Sequence, residues 1–339
     1  EDIYKPYILL NGEYVPVVVN NSEELAEALD FAPSIYLTSG VYTLDALVID
    51  RDLTIIGESV EGVVFRPTTG INSNTEGWVT VPKEFSLTIS NVTLDGEGQQ
   101  IKRGIVDYGN LVADNLKVTN IRQSTYLGMG ITVYGDATIT NSVFDNIERI
   151  GIHVRASYED PSFAGTAVIT GNTFIGNTET ALTNIVLNEE TTKEYDILSA
   201  YVSDTDDGDR VEYGIEAGAS GYVLIEDNTF ENYNGIAFTD GSTSAAILAT
   251  DYYGNGTVAD IFSNTFTNNS RAIYAGYLDT DLTVVNTVGN VYIDNFGEDI
   301  YKPYILLNGE YVPVVVNNSE ELAEALDFAP SIYLTSGVY

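Results

Sequence analysis

The 339-residue sequence has no cysteine and only one histidine, one methionine and one tryptophan. Without cysteine, neither a disulfide framework nor a thiolate metal site can hold the chain together, and the redox compartment stays open. Basic residues are scarce, 14 against 50 acidic, for a net charge of −36. That balance argues against nucleic acid as a partner, because phosphate binding needs clustered Lys and Arg. Bound cations suit such a chain far better. No apolar run approaches the length of a membrane-spanning helix and no signal-peptide pattern is present, so a soluble chain with no membrane span is expected.

What is present begins with a repeat. Residues 1–42 return unchanged as residues 298–339, a period of 297. So long an identity fits one unit of a tandem array followed by the start of the next; a copy introduced by cloning, or one period cut from a helical assembly, stays open. Beginning on Glu1, the chain is expected to be a window of a longer polymer-like protein or a processed mature chain. Without the copy, a unit has 13 basic and 43 acidic residues, net −30. A 297-residue unit outgrows a single compact core, and solenoids are the common way to lengthen a chain without enlarging one.

Residues 1–33 form the first segment. YILL, Asn11-Gly12 and EYVPVVV predict a hairpin, and Pro16 places the second strand at an edge. Asn21 then suits a helix N-cap with Glu24 three residues on, and Leu25, Ala28, Leu29 and Ala32 share one face before Pro33. From residue 34 to 297 the pattern turns to short strands of Val, Ile, Thr, Leu and Phe. A phrase of the type ITNSVF recurs at Asn91, Asn115, Asn141, Asn172, Asn228, Asn264 and Asn290, at intervals of 24, 26, 31, 56, 36 and 26 residues. A Gly-Ile phrase follows several of them, at Gly104, Gly130, Gly151 and Gly235. Intervals in the mid twenties are what one turn of a parallel β-helix requires. Three short strands per coil, stacked at about 4.8 Å, put like residues in ladders: apolar ones in the lumen, Asn at a corner. The expected fold is all-β, a right-handed parallel β-helix with an N-terminal hairpin and one capping helix. About ten coils would extend roughly 50 Å. The 56-residue interval holds a polar insertion at about 188–222, expected to project sideways.

On these motifs, ITGNTFIGNTETALTNIVL, IEDNTFENYNGIAFT and the opening SEELAEALDFA, residues 16–297 resemble the right-handed parallel β-helix proteins of the pectin-lyase-like group. The abundance of Tyr, Asn, Thr and Gly resembles archaeal and bacterial cell-surface proteins, which implies an extracellular or surface location. The scaffold carries lyases, hydrolases, epimerases, adhesins and passive surface proteins alike, so the resemblance specifies fold and not activity.

Three clusters are candidates for chemistry. Asp204, Asp206, Asp207 and Asp209 surround Gly208 with oxygen ligands suited to Ca²⁺, although the EF-hand spacing is not met and a solvated acidic loop explains them too. Alternation on the strands after the Gly-Ile phrase points Ile152 and Val154 inward and His153 and Arg155 outward. Tyr108, Tyr134 and Arg155 are then expected as one exposed column beside His153, with Asp107 at its edge, a strip able to bind cell-surface glycans. Exposed sheet faces favour Tyr and Thr in any case. Asn-x-Ser/Thr glycosylation triplets occur at Asn20, Asn91, Asn255, Asn268 and Asn317.

The identical recurrence leads to the expectation of a structural, non-catalytic subunit of an extracellular fibre, sheath or surface layer. Its partner would be itself, head to tail, through a junction at residues 298–339 around Asn308, Gly309, Leu322 and Leu326 that pairs with the final coil near Val291–Ile293. The alternative is a glycan-binding adhesin or a polysaccharide-active β-helix protein using the His153 strip.

Overall fold

The structure is a computed structural model. It describes residues 8–10, 13–123, 128–156, 164–177, 212–218, 221–234, 244–250, 257–276, 283–295 and 300–301, with 306–307, 310–311, 314–316, 319, 322 and 332–334 in the terminal copy. Three long sheets run along the molecule, with ten, nine and nine strands. Every pairing between neighbouring strands of these sheets is parallel, and each strand's neighbours are its equivalents one coil before and after, as a parallel β-helix requires.

The opening segment matches its reading. Ile8–Leu10 pairs antiparallel with Glu13–Val15, and beyond Pro16 the strand Val17–Val19 forms the edge of the first sheet beside Ser34–Leu37. Asn21 caps the helix Ser22–Leu29, its side chain accepting from the Glu24 amide at 3.0 Å, while Glu24 Oε2 accepts from the Asn20 amide at 2.8 Å. Leu25, Ala28 and Ala32 are buried, so the apolar stripe closes the first end of the lumen. In the terminal copy, Leu306–Leu307 pairs with Glu310–Tyr311 and Val314–Val316 with Ile332–Leu334 in the registers of their counterparts near the start.

Stacking at one strand spacing produces the core. In the first sheet Ile89, Ala113, Ile139, Ile169, Ile225 and Ile261 form one inward column. In the second sheet Phe144, Phe174, Phe230 and Phe266 stack ring on ring at centroid distances of 4.8, 4.7 and 5.1 Å, and Tyr292 continues the pile at 5.4 Å. The third wall is Ile105, Ile131, Ile152, Ile215, Ile247 and Ile273. Such columns fill the lumen with few polar atoms, and their burial supplies the main driving force for folding.

The expected corner column of asparagines divides in two. Asn91, Asn115 and Asn141 take the left-handed conformation at φ of 57°, 51° and 51°, and Asn115 Nδ2 donates to Asn91 Oδ1 at 2.7 Å. From the next coil Gly171, Asp227, Ser263 and Gly289 hold that position, and the asparagine moves one residue on. Asn172, Asn228, Asn264 and Asn290 then form an inner ladder; Asn172 donates to Asn228, Asn228 to Asn264 and Asn264 to Asn290. Asn172, Asn228 and Asn264 are buried and also donate to the carbonyls of Ile139, Ile169 and Ile225. A second corner, which the repeat phrase did not reveal, carries its own left-handed residues at Asn120, Asn146, Asn232, Asn268 and Asp294.

The insertion ends earlier than its expected limit of 222, because Tyr213–Gly218 is a strand of the third sheet. At the start of the terminal copy Ile300–Tyr301 pairs with Ile273–Ala275 in the third sheet, and among the described residues Val291–Ile293 is the last strand of the second.

One carboxyl lies in an inward position. Asp107 aligns with Val133 and is fully buried, with Oδ1 accepting from the Gly109 amide at 3.0 Å and Oδ2 unpartnered. Burial, with the Asp136 charge adding to it, pushes this carboxyl up to about 7.

Two stability predictions follow from these ladders. Asn228→Ala removes a side chain that accepts from the amide and side chain of Asn172 and donates to Ile169 and Asn264. Leaving such buried groups unmatched should cost roughly 2–4 kcal/mol by denaturant unfolding, against about 1 kcal/mol for half-buried Asn115→Ala; equal losses would refute the inner-ladder account. For Asp107, a folded-state value above the unfolded one means that its stabilising share is present at pH 4 and lost as pH rises through about 7. Asp107→Asn should abolish that component, which is on the order of a few kcal/mol, so the gap between variant and parent should change between pH 4 and 8. Parallel pH profiles would show that Asp107 does not titrate this way.

Candidate functional site

Through its middle coils the third sheet is buried on both faces. In the first sheet the alternate residues Asn110 and Val112, or Asp136 and Thr138, face solvent. Every residue of Arg103–Asp107, Met129–Val133, Ile150–Arg155, Tyr213–Gly218 and Ala245–Thr250 is instead buried. A column of glycines lets these coils stack closely. A Cβ on Gly130 would lie 2.5 Å from the Gly151 carbonyl oxygen, and one on Gly151 2.5 Å from that of Gly214. Gly214 is thus the fourth member of the Gly-Ile column, and Gly235, expected there, lies outside the described residues.

The outward column beside these glycines reads Val106, Thr132, His153, Glu216, Leu248 and Tyr274. Tyr108 and Tyr134 stack at 4.8 Å with planes 4° apart, and the Arg155 guanidinium carbon sits 5.6 Å above the Tyr134 ring. The sequence therefore identified the neighbours correctly. It erred on exposure: Tyr134, His153 and Arg155 are 5, 0 and 3 % exposed, and only Tyr108 is half-buried. The expected open strip is a covered one.

Burial changes its chemistry. His153 Nε2 lies 3.6 Å from Glu216 Oε1. Burial, then the charges of Arg155, Arg103 and Arg149, holds the imidazole well below its usual range. Burial pushes the Glu216 carboxyl up to about 7, with Arg149 and Arg155 pulling the other way. Both shifts favour neutral forms, so the contact is not a salt bridge near pH 7. It sets a neutral imidazole beside a carboxyl that is protonated below about 7. Arg149 lies 5.6 Å over the Tyr213 ring and Arg271 5.7 Å over Tyr274, so cation and aromatic alternate along the strip. Sequence reading missed Glu216, Arg149, Tyr213 and Arg103. The signal was available in YGIEAG, which repeats GIHV, but the insertion of variable length concealed its register.

The other candidates fare differently. Asp204, Asp206, Asp207 and Asp209 lie outside the described residues, as do Asn255, Asn317, Asn308, Gly309 and Leu326. Among the described residues no group of three or more acidic or His side chains is placed to hold a metal ion. Leu322 is helical and half-buried. Asn20 is exposed and its side chain donates to Glu24 at 2.9 Å. Asn91 and Asn268 are members of corner ladders, and the Asn268 amide nitrogen is engaged with Asn232 at 2.6 Å. No helix among the described residues is long and apolar enough to cross a membrane.

No family model matches the chain, and no curated protein matches it in sequence. Solved structures do match. The A-module of the Azotobacter vinelandii mannuronan C-5 epimerase AlgE6 is 12 % identical, with a TM-score of 0.50 over 87 % of this chain and 81 % of that one. The PL6 family alginate lyase AlyGC, at 12 % identity and a TM-score of 0.48, is matched over 88 % of this chain, which spans 42 % of the lyase. An alginate lyase from Paenibacillus sp. str. FPU-7 is 12 % identical over 82 % of this chain and 97 % of that one, with a TM-score of 0.41. These findings correct the expectation of a non-catalytic structural subunit. The matched AlgE6 A-module is that of a mannuronan C-5 epimerase, a carbohydrate-active enzyme and not a structural subunit. At such identities the likeness concerns architecture: the chain has a right-handed parallel β-helix fold.

Proposed function

We propose that the protein is a polysaccharide-active β-helix enzyme whose proton-transfer centre is His153 with Glu216 on the outer face of the third sheet. The observation that carries this reading is the 3.6 Å approach of the two side chains in full burial. Desolvating an imidazole and a carboxyl together is costly unless the pair has a use, and shifted titrations of this kind cluster at catalytic sites. In the centre His153 accepts a proton from the glycan and Glu216, protonated below about 7, supplies one. Half-buried Tyr108, at the end of the strip, offers a flat apolar ring to a sugar, and Arg149 and Arg155 stabilise negative charge as it develops. A polymeric substrate puts the protein at the cell surface or outside the cell.

Incubation with a panel of alginate, polygalacturonate and α-1,3-glucan, followed by chain-length analysis and NMR of the products, should reveal one modified polymer. His153→Gln and Glu216→Gln should each lower the rate by about 100-fold or more without unfolding the chain. Because Glu216 acts in its protonated form, the rate should fall as pH rises through about 7. A panel left wholly unmodified, or variants as active as the parent, would overturn the assignment.

A further inference from the structure

Arg155 follows His153 by two residues on one strand and so shares its outward face. The strand registers put Tyr134 and Tyr108, the residues after Val133 and Asp107, beside it in the two preceding coils, and Gly218 beside it in the next. Its column is therefore lopsided, with two aromatic rings on one side and no side chain at the neighbouring position on the other. The rings form an anchored pile. Tyr108 stacks on Tyr134 at 4.8 Å, the Tyr108 hydroxyl donates to the Thr75 carbonyl at 2.7 Å, and the Tyr134 amide donates to the Asp107 carbonyl at 2.7 Å. Arg155 ends the pile, its guanidinium carbon 5.6 Å from the Tyr134 centroid and its Nε donating to the Ala156 carbonyl at 3.3 Å.

This placement forgoes another interaction. Glu216 pairs with His153 in the next coil, which puts it diagonal to Arg155, about 8 Å away between Cα atoms by strand geometry and within the reach of an arginine side chain. Gly218 puts no side chain in the way. Yet among the described residues no ion pair joins Arg155 to Glu216; the carboxyl meets His153 instead. Tyr134, Arg155 and Glu216 are all buried, so water screens the attraction between guanidinium and carboxylate little. A ring face in a desolvated site can compete for the cation. Among the described residues the arginines acting on the pair are Arg155, Arg103 and Arg149 for the imidazole, and Arg149 and Arg155 for the carboxyl.

We propose that the Tyr108–Tyr134 pile is a positioning element of the His153–Glu216 centre: it holds the Arg155 guanidinium on a ring face and keeps it from closing onto the Glu216 carboxyl. Held there, Arg155 remains available to negative charge that develops on the bound glycan. The inference rests on the polysaccharide-active reading for its role in catalysis and adds what fixes the place of the arginine.

His153 is the one histidine of the chain, so its imidazole gives a single signal in NMR titrations of the full chain, and the Glu216 carboxyl is identified by its loss in Glu216→Gln. In Tyr134→Leu, which keeps apolar bulk and removes the ring, Arg155 should close on Glu216. The Glu216 midpoint should then move down from about 7 by about one pH unit or more. The imidazole midpoint should rise beside the carboxylate so formed, and the fall of the rate with rising pH should move to lower pH with Glu216. Tyr134→Phe keeps the ring and should titrate as the parent does. Combining Arg155→Gln with Tyr134→Leu should abolish the downward move, because no guanidinium remains to close. Where Tyr134→Leu does not fold, the parent decides: its Arg155 side-chain protons should be displaced upfield by the ring current of Tyr134. Parent-like midpoints in folded Tyr134→Leu, a downward move that survives the double variant, or Arg155 protons at ordinary shifts would overturn the proposal. An inactive protein with the expected titrations would sink the enzyme reading and leave the hold on Arg155 standing; an active one with parent-like titrations in Tyr134→Leu would do the reverse.

Discussion

Hydrogen bonding between coils at a single strand spacing is the constraint on which everything else depends. Once each strand pairs in parallel with its equivalent one coil away, a residue type can persist only if it tolerates its own copy as a neighbour. Phe accepts this by stacking its rings, Ile by interlocking in the lumen, Asn by donating to the Asn ahead of it. Gly accepts it where another coil's carbonyl oxygen occupies the space of a side chain. Aspartate does not tolerate this environment, and Asp107 shows the consequence: in an inward column it is driven towards its neutral form by burial.

The same constraint concentrates chemistry. Arg103, Tyr134, His153 and Glu216 are scattered over more than a hundred residues of chain, yet coil stacking puts them on one face of one sheet. The surroundings then decide what they are. On an open face His153 and Glu216 would titrate near their ordinary values and pair as ions; buried among arginines they become a neutral base and a protonated acid. The arginines act twice, suppressing protonation of the imidazole and limiting the rise of the carboxyl.

Much was legible in the residues. Alternation and the Asn and Gly-Ile phrases specified the coil, the lumen columns and the stacking of Tyr108, Tyr134 and Arg155, because these depend on local spacing that parallel stacking merely copies. The shift of the asparagine by one position between ITNSVF and ITGNTF was equally readable, since Ile and Phe keep their places on either side. What the sequence determined by itself, then, was the repeat and everything that follows from like standing over like. Tertiary structure alone decided the burial of the third sheet's outer face and the pairing of Glu216 with His153 across an insertion of arbitrary length. Periodicity reports which residues are neighbours along the axis. It carries no information about what covers a face, and it is cover, through desolvation, that turns a column of polar side chains into a site.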